Sequence, residues 1–288
     1  AAGGATDLLA RIIAQPLSQA LGATVIVENR AGAGGSTGMA EVAAAAPDGL
    51  TIGMATVSTH GVNPAIYKGL PYDAQKDFRP VVGLVTSPNV MVVHPGTPGR
   101  DHAEFHRHLK ANPGKLSFAS AGIGSLGHML GELYKSTTNT NLVHLPFKGA
   151  APAKAEVVAG RADVLFDNLP SSMEAVHSGQ LRPLAVSASQ RLVSLPQVPT
   201  FAELGLFINN DPSWFGLVVP ARTPLAQVAV LHNATIDVLK RREVLAKLVA
   251  QGMDPWSAGP DQFALRIDKE IRKMRSVARL AKIALTSA

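Results

Sequence analysis

The chain has 288 residues, 46% hydrophobic and 17% charged, with 26 Gly, 20 Pro and no Cys. That balance can bury a large core, and it excludes disorder, collagen, coiled coil, disulfides, thiolate metal sites and a cysteine nucleophile. The formal charge is +6, but only Lys240-Arg241-Arg242 forms a basic run, and 5% aromatics are not interleaved with cations, so nucleic acid is not an expected partner.

Apolar residues at Leu8, Leu9, Ile12, Ile13, Leu17 and Leu21 predict a helix over Thr6 to Leu21, with Thr6 as its N-cap and Asp7 in its first turn. The β-branched run Thr24-Val25-Ile26-Val27 predicts a strand, followed by a Gly-rich loop, a helix from Thr37 to Ala46 stopped by Pro47-Asp48-Gly49, and a strand over Thr51 to Thr56. Further strands are predicted at Val90–His94, Leu116–Ala121, Leu142–Pro146, Val164–Asp167 and Leu184–Ser187, with helices near Asp101–Asn112, Ser125–Thr137, Ala153–Gly160 and Ser171–Ser178. This alternation predicts an α/β fold with mainly parallel sheets. The tail from Leu225 to Leu285 reads as helical, broken at Gly252-Met253-Asp254-Pro255 and Gly259-Pro260. No stretch reaches the roughly 20 consecutive apolar residues of a bilayer span, and the length favours two domains.

Three short motifs carry chemistry. Gly122-Ile123-Gly124-Ser125-Leu126-Gly127 is a G-x-G-x-x-G between a predicted strand and helix, the context of a dinucleotide loop. The acidic residue that should follow about 20 positions later to hold a ribose hydroxyl is missing from the Leu142–Gly149 stretch. A tight turn, or a helix start that binds a carboxylate, is compatible with the same glycines. Gly34-Gly35-Ser36-Thr37-Gly38 matches the G-x-S-x-G nucleophile elbow, but the predicted strand ends near Asn29, so a Gly-rich connection with Ser36 capping a helix is the better reading. His102 and His106 share a predicted helix face with no third ligand evident, and read as a solvated face, as do the isolated His60, His128 and His144. No metal site is expected.

Small-residue loops recur at predicted strand-to-helix junctions: Gly3-Gly4-Ala5-Thr6, Val57-Ser58-Thr59-His60-Gly61, Gly122-Ile123-Gly124-Ser125 and Lys148-Gly149-Ala150-Ala151. In parallel α/β sheets such junctions lie at the carboxyl ends of strands, where ligands bind. Each helix start offers unpaired N–H groups to a carboxylate, without an arginine.

At these loops the sequence resembles the tripartite tricarboxylate transporter receptors, the Bug family of periplasmic solute-binding proteins. The resemblance runs through AAGGATD (1–7), VIVENRAGAGGSTGMAEVAAAAPDG (25–49), NPAIYKGLPYDAQKDFRPV (63–81), SAGIGSLGHMLGELY (120–134), LPFKGAAPAKAEVVAGRADVLFDNLPSS (145–172) and WFGLVVPARTP (214–224). It implies a two-lobed periplasmic-binding-protein fold of the Venus-flytrap, type II-like kind with crossover strands as hinge. Lobe one would be 1–97 plus 220–288 and lobe two 98–219, with crossovers near Val92–His94 and Leu217–Val219. It implies a monomer without cofactor or catalysis, located in the periplasm. Such a receptor delivers a small carboxylate (a di- or tricarboxylate, acidic amino acid or aromatic acid) to the membrane permease subunits of a tripartite transporter. The alternative is a dinucleotide-dependent oxidoreductase using Gly122–Gly127. Relatives carry a strand just before the AAGGATD loop, whereas this sequence opens at the loop itself with no leader-like segment: either a further segment precedes Ala1 or the first sheet lacks a strand and the loop is looser than the resemblance implies, and any export signal has been removed or never existed.

Carried over by position, the resemblance places Ala5, Thr6, Asp7, Ser58 and Thr59 of lobe one at the ligand, with Gly124, Ser125, His128, Gly149, Ala150, Asp167 and Asn168 of lobe two. The N–H groups of Ala5, Thr6, Gly124, Ser125 and Ala150 are expected to bind carboxylate oxygens, assisted by the Thr6, Ser58 and Ser125 hydroxyls. Asp167 either accepts from a ligand ammonium or hydroxyl or caps a turn.

Overall fold

The computed structural model describes residues 1–206 and 211–283, with the backbone of 286–287. The chain opens with α1 (Ala5–Leu21), a short 3₁₀ turn (Ala33–Gly35), α2 (Ser36–Ala44) and β1 (Gly53–Thr56). A π-helical turn (Ser58–Val62) runs into α3 (Asn63–Ile66), then β2 (Tyr67–Lys68), β3 (Phe78–Ser87) and β4 (Asn89–Val93). Next come α4 (His102–Ala111), β5 (Ser117–Ser120), α5 (Leu126–Thr138), β6 (Val143–Pro146), α6 (Ala150–Val158), β7 (Val164–Asn168), α7 (Leu169–His177) and β8 (Arg182–Ser187). The chain returns through β9 (Ser213–Pro220) to α8 (Leu225–Leu239), α9 (Arg242–Ala250), β10 (Asp254–Ala258), α10 (Pro260–Leu280) and β11 (Thr286–Ser287).

The larger strands form two sheets, ordered β1-β9-β3-β10 and β6-β5-β7-β4-β8, and each builds a lobe. Only Pro88 separates β3 of the first sheet from β4 of the second. Residues 92–94, expected at a crossover, thus include the end of a second-sheet strand, while residues 217–219 lie within β9 of the first sheet. The sheets are less parallel than the βαβ rhythm predicts. β5 runs parallel to β6 and β7, but β4 is antiparallel to β7 and β8, and every described pair of the first sheet is antiparallel. The reason is the double passage between lobes: β9 comes back beside the outgoing β3, which reverses its direction.

Sequence periodicity missed β3, β9 and β10. Pro80 and Gly83 interrupt β3, and β9 is an unbroken buried run without alternation, the pattern of a strand covered on both faces. Gly83 and Gly216 are register partners, and a Cβ on either would strike an aromatic ring, Trp256 at Gly83 and Phe263 at Gly216. The two glycines make a notch in which Phe263 meets Trp214 and Trp256 edge-on, at 5.4 and 5.9 Å between ring centres. Trp214 is fully buried and donates its indole N–H to Glu270 at 2.9 Å, tying β9 to α10. On the other face, Leu9, Ile13 and Leu17 of α1 pack with Val81, Leu217, Leu231 and Leu248.

Other local expectations shift. Helix α1 starts with Gly4 as N-cap, so Thr6 lies inside its first turn. Ser36 is the first residue of α2 and the cap position falls on Gly35, with no side-chain cap bond. Residues 24–27 form no strand; they border a groove against α1 and residues 52–54, and no described strand pairs with them. The tail is helical apart from β10, whose strand forms because β3 presents a free edge to it; Leu285 lies outside the described residues. No described helix is long and apolar enough to cross a membrane.

Phe263→Ala should empty the notch and cost about 3–5 kcal/mol of stability, read from urea unfolding.

Candidate functional site

Between the lobes lies a cleft that is continuous with the groove beside residues 24–27, the two together enclosing ≈ 800 Å³. Ala5, Thr6, Asp7, Ser58 and Thr59 line it from one lobe, and Ser125, Gly149, Ala150, Asp167 and Asn168 from the other. Gly124 and His128 do not line it.

The starts of α1 and α6 approach each other across this cleft. A Cβ on Gly4 would lie 3.5 Å from the Ala150 Cβ, and one on Gly3 3.3 Å from that of Ala151. The amides of Ala5, Thr6 and Asp7 and those of Ala150 and Ala151 have no hydrogen-bond partner among the described residues, as expected for first-turn groups, and Pro152 has no N–H. Two positive helix ends thus converge on one space. Arg30, the one cationic side chain among the described cleft-lining residues, is held by Glu41 at 2.8 Å and Glu28 at 2.9 Å.

Asp7 organises this loop rather than facing the cleft as a free acid. Its carboxylate accepts from the Gly3 N–H at 2.9 Å and from Arg11 Nε at 3.0 Å. Burial pushes its pKa upward, but the Arg11 and Gly3 bonds outweigh that and hold it below the usual carboxylate value. Thr59 is likewise engaged inward, with Oγ1 accepting from the Thr56 N–H at 3.0 Å and lying 3.0 Å from His60 Nδ1.

The start of α5 is occupied by the protein itself. The Ser125 N–H, expected to meet a carboxylate, donates to the Gly122 carbonyl at 3.0 Å, because the loop closes as a tight turn. Ser125 Oγ caps the helix by accepting from the His128 N–H at 3.2 Å, and Ser58 Oγ accepts from the Leu126 N–H at 3.0 Å. Three amides at this helix start, those of Ser125, Leu126 and His128, are therefore already bonded. His128 turns away from the cleft and stacks on His144 at 4.5 Å, with Nδ1 unpartnered. His144 stacks in turn on Phe118 and lies 2.7 Å from Ser120 Oγ; burial, reinforced by His128 and Lys135, pushes its pKa down to about 3.

Asp167 sits at the end of β7 and caps the turn into α7. Oδ1 accepts from the Asn168 N–H at 2.9 Å and Oδ2 from the Ser172 hydroxyl at 2.7 Å. Burial raises its pKa despite these bonds. Asn168 points to the passage between the lobes, its Nδ2 donating to Asn89 Oδ1 at 2.7 Å and to Ser213 Oγ at 2.8 Å, while the Ser213 hydroxyl donates to Asn89 Oδ1 at 2.7 Å. Asn89, which also lines the cleft, was missed by sequence reasoning, though the breaker Ser87-Pro88-Asn89 ahead of a β-branched run marks the place. His102 lies 3.1 Å from the Tyr134 hydroxyl and stacks with His106, and no cluster of three potential metal ligands occurs among the described residues.

Residues 9–283 match the sequence profile of the tripartite tricarboxylate transporter family receptor. BugT of Bordetella pertussis is 34% identical over 278 residues, covering 96% of this chain and 85% of BugT. A solved structure of a periplasmic transporter superposes with a TM-score of 0.96 at 42% identity, covering 99% of this chain and 96% of the other. Rpa4515 of R. palustris, solved with adipate, superposes with a TM-score of 0.94 at 32% identity, covering 99% and 95%. The fold is thus the two-lobed α/β fold of periplasmic binding proteins.

His60, beside Thr59, is fully buried, not solvated, and burial pushes its pKa down to about 3. In the unfolded chain the ring titrates near about 6.5, so that state takes the proton first. The stability His60 contributes is complete above about pH 6.5 and is lost as pH falls toward about 3. Between pH 7 and 5 the parent should lose about 2 kcal/mol more than His60→Phe in urea melts.

Proposed function

The chain belongs to the tripartite tricarboxylate transporter receptor family, and from that membership and the geometry of its cleft we propose that it is a periplasmic receptor for a small organic carboxylate. It captures the acid between the lobes and presents it to the membrane permease subunits of a tripartite transporter. The lobes are those built on the two sheets, with the outgoing chain passing between them at Pro88 and the returning chain entering the first sheet at Ser213. The receptor acts as a monomer, without cofactor or chemical step.

The observation that carries this reading is the opposition of α1 and α6, with the N–H groups of Ala5, Thr6, Asp7, Ala150 and Ala151 unengaged. A carboxylate between them accepts from both helix ends, and each charge-assisted bond is worth about 1.5–3 kcal/mol. Three or four such bonds, less the cost of association, reach about 8 kcal/mol, a micromolar Kd. The solved relative with adipate supports a carboxylate as the ligand class. A dinucleotide oxidoreductase is disfavoured, because the amides of Ser125, Leu126 and His128 are already engaged.

Thermal unfolding with adipate, citrate, glutamate, benzoate and NAD decides between these. An acid at about a hundredfold excess over its Kd should stabilise the protein by about 2.7 kcal/mol. A shift with NAD alone would overturn the receptor reading. Ala150→Pro removes one donor at a helix position that tolerates proline, so the fold should persist while affinity for the bound acid, measured by calorimetry, falls about tenfold to a hundredfold.

A further inference from the structure

The lobes touch outside the cleft as well as across it. The Tyr67 hydroxyl of one lobe donates to the Ile123 carbonyl of the other at 2.8 Å, beside the bond from the Leu126 N–H to Ser58 Oγ. The Gly122–Gly127 loop is built for this contact. Gly124 has φ +84°, and a Cβ there would overlap Asn63 Oδ1 and lie 2.6 Å from Tyr67 Cε2. Gly34, φ +60°, meets Gly124 from the opposite lobe so closely that a Cβ would lie 2.6 Å from the Gly124 carbonyl carbon. The left-handed backbone and the space both demand glycine at these two positions. Neither Tyr67 nor Gly124 lines the cleft.

We propose that Tyr67, closing on the Ile123-Gly124 backbone, is a latch that holds the lobes shut and sets how long a bound ligand stays, without touching the ligand. The latch explains the glycine pattern that otherwise resembles a nucleotide loop: it gives lobe one a side-chain-free backbone to close upon. Its effect on ligand residence rests on the receptor reading, whereas its effect on the open–closed balance does not. A group that bonds only in the closed state slows opening, and in the ligand-free protein it also lowers the share of the open form that a ligand can enter.

The chain has no cysteine, so Val193→Cys and Lys247→Cys place one dye on each lobe at exposed positions for energy-transfer measurements. In the ligand-free protein, Tyr67→Phe and Gly124→Ala should both lengthen the mean interlobe distance. In protein loaded with adipate and then diluted, Tyr67→Phe should open about twofold to tenfold faster, the worth of one neutral hydrogen bond, with association no slower than the parent's. Parent-like distances and opening in Tyr67→Phe overturn the latch, as does a slower association, which marks a damaged cleft. If adipate, citrate, glutamate and benzoate all leave the parent's signal unchanged, the receptor reading fails, and the ligand-free distances still decide the latch.

Discussion

Two helix N-termini brought face to face repel, because each carries the partial positive charge of its unpaired amides, and the repulsion is relieved only by something negative between them. In this protein α1 and α6 meet that way, with the Ala150 methyl group 3.5 Å from where a Cβ on Gly4 would lie and the amides of Ala5, Thr6 and Ala150 unsatisfied. The rest of the structure serves that convergence. Asp7 braces the Gly3 N–H so that the α1 loop keeps its course, and Gly149, as the N-cap of α6, lets the opposing backbone come close. Arg30, which could have supplied a fixed cation, is neutralised by Glu28 and Glu41.

Holding two lobes at that separation needs a defined passage between them. The passage is polar and buried: Asn89 follows the outgoing strand, Ser213 begins the returning one, and Asn168 bonds to both. A buried network with most of its bonds made is directional in a way that apolar packing is not, so it defines an angle as well as a contact. Below it, Trp214 anchors the returning strand to α10 through Glu270, and the paired Gly83 and Gly216 let the ring of Phe263 fill the space a side chain would have taken. Precision in the cleft thus depends on backbone approach at glycines more than on any functional side chain.

Much of this was legible in the residues. The helices α1, α4, α5 and α7 follow from apolar spacing, and the strands of the second sheet fall where short segments alternate with those helices. The small-residue loops marked the helix starts that line the cleft, because a helix start needs no particular side chain to present its amides. The pattern failed where local signal and tertiary use diverge. β3 contains Pro and Gly yet is a long central strand. His128 and Gly124 fall in the right loop by position but face His144 and Tyr67 instead of the cleft, because direction along a turn is set by what packs against it.

The sequence by itself determined the fold class, most helices and the absence of cysteine chemistry, since periodicity and composition act over a few residues. It also marked which loops begin helices. Tertiary structure alone decided which amides stay free. Those of Ala5 and Ala150 face an open cleft, while those of Ser125 and Leu126, identical in chemistry, are bonded by Gly122 and by Ser58 from the other lobe. Whether an N–H is available to a ligand depends on the nearest acceptor in space, and that acceptor can lie 68 residues away along the chain.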